Sequence, residues 1–263
     1  MDEVLIEERR GGELRLTLNR PERLNAIDHA LGMALLGALD RATDDPEVRV
    51  VVLAGADGAF CAGDDLSSLE RSLDGEYRDA PFFHGTRDTI YTRIVHAIYQ
   101  CPKPVLAALG GVCAGAGTEI ACAADIRLAA ERARIGSRLV RIGQVGNAIA
   151  LPRVVGPARA AEIYMTGRLV CSAEALRIGL VHEVLADDAL DARVDELAAQ
   201  LAASATKAIG FYKQLLLRTW GESPAVGLRM QDDAHRATVT EIEDGAEGVR
   251  AFAEGRPPRF TGR

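Results

Sequence analysis

The sequence predicts an α/β fold: a strand-and-helix core followed by a helical C-terminal region. Two apolar runs, VRVVVLAG at 48–55 and PVLAALGG at 104–111, read as strands buried on both faces. Each leads into a loop rich in Gly and Ala and then a helical segment, so the first half repeats a strand–loop–helix unit without a clean period. Beyond residue 157 the chain reads mainly as helices separated by Pro and Gly. The 263 residues are 48% hydrophobic, enough for a substantial core in one large domain or a domain with an appendage.

The elements follow in order. LRLTLNRP at 14–21 alternates apolar and polar residues, as a half-buried strand does. Asp28 can cap a helix over 29–42 that presents Leu31, Leu35 and Leu39 on one face. After the first buried strand, GADGAFCAGDDLSSL is a loop. A helix over 86–100 stops at CPKP, where proline excludes the helical conformation of the preceding residue. After the second buried strand, 117–124 forms a short helix and DIRLAAERARIG at 125–136 a strand, a turn and a strand. Helices are expected over 157–165, 172–178, 187–204, 206–219 and 224–254, with a boundary between core and appendage inside 190–205.

Composition narrows the function. A net charge of −7 argues against a nucleic-acid backbone as partner. No run approaches the roughly 18 apolar residues of a membrane helix. The opening MDEVLIEERRGGE is charged and has no apolar signal-peptide core, which sets the expectation of a cytoplasmic protein. Cysteines at 61, 101, 113, 122 and 171 are odd in number, have no metal-site spacing and read as reduced packing residues. There is no phosphate-binding GxxxxGK[ST], no GxSxG and no HExxH, and GAGTEI lacks the third glycine of a dinucleotide loop.

The chemistry gathers at CAGAGTEIACAAD, residues 113–125, where Glu119 is a carboxylate set among small residues. Backbone N–H groups at a helix start have no intrahelical partner and point outward with the positive end of the dipole. AFCAGDDL at 59–66 has the same small-residue character. Facing each other, the two loops would offer one N–H each to a carbonyl oxygen that gains charge, an oxyanion hole. Glu119, just inside the helix, would face the same pocket and suit acid–base work. Two plainer readings stand beside this one: Glu119 as a first-turn glutamate favoured by its own helix dipole, and the small residues as tight packing.

FCAGDDL followed by PKPVLAALGGVCAGAGTEIACAADIRLAAERARIG resembles the enoyl-CoA hydratase/isomerase, or crotonase, family. So do NRPERLNAI, VGPARAAEIYMTGRLVCSAEALRIGLVHEVL and the C-terminal EGVRAFAEGRPPRF. The resemblance implies a ββα spiral core over 1–195 that binds acyl-CoA and a helical trimerisation region over 196–263. It implies a homotrimer or dimer of trimers, and a CoA thioester as substrate with no separate cofactor and no metal. The thioester enolate would be held by the N–H groups of Asp64 and Ala116, beside Gly115, with Glu119 as acid/base. Arg23 and Ala26, with Ala62, Asp65 and Leu66, match the segments that meet CoA. Lys213, in GFYKQLL, matches a lysine that reaches a CoA phosphate.

Two departures accompany the match. The position of the second glutamate of hydrating relatives is Leu139, and leucine moves no proton. The loop GQVGNAIALPRVVG is shorter than its counterparts and lacks their proline and most of their glycines. A non-catalytic acyl-CoA-binding protein, or an isomerase, decarboxylase or thioesterase on the same fold, therefore stands as the alternative. The Asp64 carboxyl is a candidate replacement for the second acid. Arg138, Arg141, Gln144 and Asn147 are candidates to bind a polar acyl group, and His84 and Tyr91 to line the pocket, each set against a plain structural role.

Overall fold

The computed structural model describes residues 3–67, 70 and 89–263. Strand β1 (Leu5–Arg10) turns at Gly11, in the left-handed region at φ 59°, and pairs antiparallel with β2 (Glu13–Leu18). β1 is absent from the sequence expectation because LIEERR lacks the alternation of a half-buried strand. It is the sheet edge, with Leu5 buried and the last four residues exposed, and charges suit an edge.

From β2 onward the main sheet grows in parallel: β3 (Val50–Gly55) beside β2, then β4 (Val105–Leu109) beside β3. The chain next forms β5 (Val112–Ala114), β6 (Ile126–Ala130) and β7 (Arg134–Gly136), then β8 (Leu169–Cys171) and β9 (Glu183–Leu185). The main sheet runs β1-β2-β3-β4-β6-β9 and a second, small sheet runs β5-β7-β8. The chain alternates between them, β4 then β5, β6 then β7 and β8, then back to β9, so it winds as a spiral.

β3 shows why the continuous apolar run is needed. Val51 and Leu53 enter one hydrophobic cluster, while Val50 and Val52 enter the other, on the opposite face. The first cluster is closed by α1 (His29–Asp44) and α2 (Ile90–Gln100), through Leu31, Leu35, Leu39, Ile90, Ile94 and Ile98. Asp28 caps α1 as expected, its Oδ1 accepting from the Leu31 N–H at 2.9 Å. The expected helix start at 86 lies outside the described residues.

α3 (Ala116–Ala123) leaves β5 directly. α4 (Ala150–Val155) is absent from the sequence expectation, because Pro152 sits inside it. Proline is tolerated there since the first N–H groups of a helix have no intrahelical acceptor to lose. α5 (Pro157–Thr166) and α6 (Ser172–Arg177) follow, then α7 (Leu190–Ala202), α8 (Thr206–Arg218), α9 (Pro224–Thr240) and α10 (Glu243–Glu254). The helix expected over 224–254 is thus two, divided where Ile242 takes an extended conformation. α7 covers the second cluster through Leu190, Val194 and Ala198, so the expected 195/196 boundary falls inside a helix packed on the sheet.

Candidate active site

The two small-residue loops meet. Beyond β3 the chain runs back along β5: the Phe60 and Cys61 N–H groups donate to the Val112 carbonyl at 2.9 and 3.0 Å, and Ala114 N–H donates to the Cys61 carbonyl at 2.9 Å. Backbones this close leave no room for side chains. A Cβ on Gly117 would stand 2.3 Å from the Cys61 carbonyl oxygen, and one on Gly63 would stand 3.0 Å from the Ala114 oxygen. On its other flank the loop pairs with Ile27, which donates to the Gly63 carbonyl at 2.8 Å and accepts from Asp65 N–H at 2.9 Å. Close packing, the plainer reading of the small residues, is therefore real. It also sets Asp64 beside the start of α3; neither the Asp64 nor the Ala116 N–H has a backbone acceptor among the described residues, and the Asp64 N–H faces its own carboxylate.

Glu119 is buried, at 4% exposure, but its surroundings are not the apolar ones the sequence suggested. Oε1 accepts from the Ala150 N–H at 2.9 Å and the Ile149 N–H at 3.3 Å, at the start of α4, and Oε2 accepts from Asn147 Nδ2 at 3.2 Å. Three donors and the positive end of a second helix explain why a carboxylate survives here. The dipole that meets this carboxylate belongs to α4, not only to its own helix. Two of the donors are backbone groups in a helix that the side-chain pattern does not announce.

The wall opposite is mixed. Asp64 is partly buried, and that burial pushes its carboxyl up to about 6. Tyr91, on α2, is half-buried. Burial, then the charges of Asp64 and Glu119, push its phenol up. Leu139 is buried and, with the Tyr91 hydroxyl, closes on Gly146: a Cβ there would lie 2.6 Å from Leu139 Cδ1 and 3.3 Å from the Tyr91 oxygen. Leu139 also reaches over Gly115, whose φ of 53° starts α3. An apolar group thus stands at this wall.

Asn147 is not a free acyl-binding group. It is buried, in the left-handed region at φ 55°, with Nδ2 donating to the Gly115 carbonyl at 2.9 Å as well as to Glu119. Arg138, Arg141 and Gln144 are exposed, and Arg141 donates to the Gly167 and Thr166 carbonyls. His84 lies outside the described residues.

On the expected CoA side, Arg23 and Leu66 are exposed and Ala26 and Ala62 flank the same strand-like pairing, with Ala62 N–H donating to the Leu24 carbonyl at 3.0 Å. Two of the expected residues have partners within the chain. Asp65 is buried against Arg20 at 2.9 Å and Ser67. Burial raises its carboxyl, but the Ser67 and Arg20 bonds outweigh it and hold the group below the usual range, so Asp65 locks the loop. Lys213 is 5% exposed and donates to Asp125 at 2.8 Å and the Lys103 carbonyl at 3.1 Å. Its ammonium is turned into its own chain, toward the Asp125 oxygen that also accepts from the Val105 N–H at 2.8 Å. Cys61, whose thiol burial pushes up to about 12, carries no thiolate near neutral pH.

The enoyl-CoA hydratase/isomerase family model matches residues 8–263. The chain is 33% identical to 1,2-epoxyphenylacetyl-CoA isomerase of Escherichia coli and 36% identical to carnitinyl-CoA dehydratase of Salmonella typhi, each over the full length of both chains. Its fold matches the crystal structures of enoyl-CoA hydratases from Mycobacterium smegmatis, with TM-score 0.89 and 30% identity over 98% of this chain and 99% of that one, and from Bacillus anthracis, with TM-score 0.88 and 29% identity over 99% and 100%. A spiral of paired strands with helices, a family match over nearly the whole chain and full-length likeness to such relatives lead to one conclusion: the chain belongs to the enoyl-CoA hydratase/isomerase family.

Proposed function

We propose that the protein is an acyl-CoA hydratase or isomerase in which Glu119 moves a proton beside a thioester whose carbonyl oxygen is held by the Asp64 and Ala116 N–H groups. One observation carries it: two N–H groups from different loops, without backbone acceptors among the described residues, stand in the same site as a buried, hydrogen-bonded carboxylate. As the oxygen gains charge in the enolate, fixed donors stabilise it without reorganising. Glu119, held by three N–H groups, takes or returns the proton at the carbon next to the thioester or on the incoming water. CoA enters as part of the substrate, so the reaction calls on no separate cofactor, and Arg23 and Leu66 lie free on the side where it would rest. Hydration is ranked before double-bond migration, as one full-length relative is named a dehydratase and two matching structures hydratases, against one relative named an isomerase.

Leu139 favours a second reading, an acyl-CoA-binding protein without turnover. The two separate on a panel of crotonyl-, longer 2-enoyl-, 3-enoyl- and malonyl-type CoA thioesters followed by mass spectrometry. Turnover to a water adduct or a shifted double bond, reduced about 10²–10⁴-fold in Glu119→Gln, supports catalysis by this residue. Binding without reaction in both proteins would leave the second reading standing. The C-terminal helices are further proposed to carry a trimer interface, since Leu216, Trp220 and Phe252 are exposed on a single chain.

A further inference from the structure

Asn147 holds a place that the reaction above does not account for. Its side chain is buried at 3% exposure, and its backbone sits at φ 55°, a conformation that costs most residues energy and that Asn and Gly tolerate best. The two hydrogens of one amide nitrogen go to two different parts of the site: the Gly115 carbonyl at 2.9 Å and Glu119 Oε2 at 3.2 Å. The amide oxygen is buried with no hydrogen-bond partner among the described residues. A buried acceptor left unpaired forfeits its hydration without replacement, and such a group in a native fold calls for a reason. The orientation is therefore dictated by the donor end.

The Gly115 carbonyl and the Ala116 N–H belong to one planar peptide unit, and in a trans peptide they point in opposite directions. Whatever grips the carbonyl aims the N–H. The same carbonyl accepts the first bond of α3, from the Glu119 N–H at 3.2 Å, so Asn147 is the second and shorter of two donors that set the tilt of this peptide, which follows a residue at φ 53°. We propose that Asn147 is a positioning residue that aims both halves of the site at once: the Ala116 N–H through the Gly115 carbonyl, and the Glu119 carboxylate through Oε2. Both roles rest on the assignment of Ala116 and Glu119 made above. The short loop contributes to the device, because GNAI places Asn147 two residues before the Ile149 N–H that holds the other oxygen of the same carboxylate. Glu119 is thereby clamped from both sides by one four-residue segment.

The test separates aiming from folding. Asn147→Gly keeps the left-handed backbone and removes only the side chain; Asn147→Asp keeps the shape and removes both donors. Two readouts are taken beside thermal unfolding. The first is kcat and KM on whichever thioester of the panel the wild type converts. The second is the near-ultraviolet enolate absorption of bound acetoacetyl-CoA, which reports oxyanion binding without turnover. We expect kcat to fall about 10²-fold in both variants with KM changed less than about threefold, the loss that follows from misplacing reacting groups by about 1 Å. The enolate signal should weaken in both, and it should still weaken when Asn147→Gly is made on Glu119→Gln, since the Ala116 arm does not pass through Glu119. Equal enolate signal and kcat in wild type and Asn147→Gly would overturn the proposal, as would a loss seen only as lower melting temperature with matched rises in KM. A wild type that shows neither turnover nor an enolate signal overturns the functional reading itself, a result distinct from either.

Discussion

Asp64 is a carboxyl that the fold partly removes from water, with no cation paired to it among the described residues. Its raised pKa, about 6 against 3.8, fixes the sign of a pH effect. Between those values the folded state binds more protons than the unfolded, so this residue's contribution to stability falls as pH rises from about 4 to above 6. Asp64→Asn removes the charge. The variant should gain about 2 to 3 kcal/mol over wild type at pH 8 and nothing near pH 4, read from denaturant midpoints at both pH values. A gain that does not vary with pH would mean the carboxyl is solvated. Lys213 gives the opposite kind of test. Lys213→Met breaks a largely buried ion pair with Asp125 and should cost about 2 kcal/mol, with the KM for a CoA thioester unchanged. A tenfold rise in KM at unaltered stability would return this lysine to the phosphate. Glu119 was evident in the sequence as a carboxylate out of place among small residues. Its partners were not, because a backbone N–H carries no residue identity.

At the scale of elements, the site is a joint between two short backbone segments, and Gly117 is where they touch. Gly117→Ala would place a methyl 2.3 Å from the Cys61 carbonyl oxygen and 2.8 Å from its Cβ. Backbone cannot swing aside like a side chain, so α3 must move away from the 59–64 loop. The expected outcome is a loss of 1–3 kcal/mol in stability, about the cost of overpacking. It should come with a fall in kcat of at least about tenfold, because the Asp64 and Ala116 N–H groups separate. Retained kcat in a destabilised variant would detach the hole from this contact. Buried strands and the α1 cap were readable because apolar runs and an N-cap aspartate act locally. β1 and α4 were not, since an edge strand needs no apolar alternation and a proline in a first turn looks like a breaker.

The single chain leaves an apolar stripe uncovered. Tyr212, Leu216 and Trp220, four residues apart along α8 and just past its end, are 63%, 53% and 61% exposed, and Phe252 on α10 is 90% exposed. Spacing by four puts Tyr212 and Leu216 on one helix face, and Trp220 follows in the turn after it. Sedimentation velocity should give a trimer or a hexamer for the wild type. Leu216→Glu should shift the population towards smaller species, because a carboxylate buried between subunits lacks a partner. A wild type that sediments as a monomer at micromolar concentration would refute the trimer. Among the described residues no helix is long and apolar enough to cross a membrane.

By itself the sequence determined the class of fold, the order of the buried strands, the loop pair and the one acid between them. Each of these is written in local pattern: runs of apolar residues, small residues where backbones approach, a cap. What only the tertiary structure decided is how the charges are spent. It gave Glu119 the N–H groups of a distant helix, turned Lys213 and Asp65 inward to partners of their own chain, and set Asn147 between the hole and the carboxylate. The reason is physical. A buried polar group must be paired, and its partner is chosen by proximity in the folded chain, which residue type and spacing along the sequence do not encode.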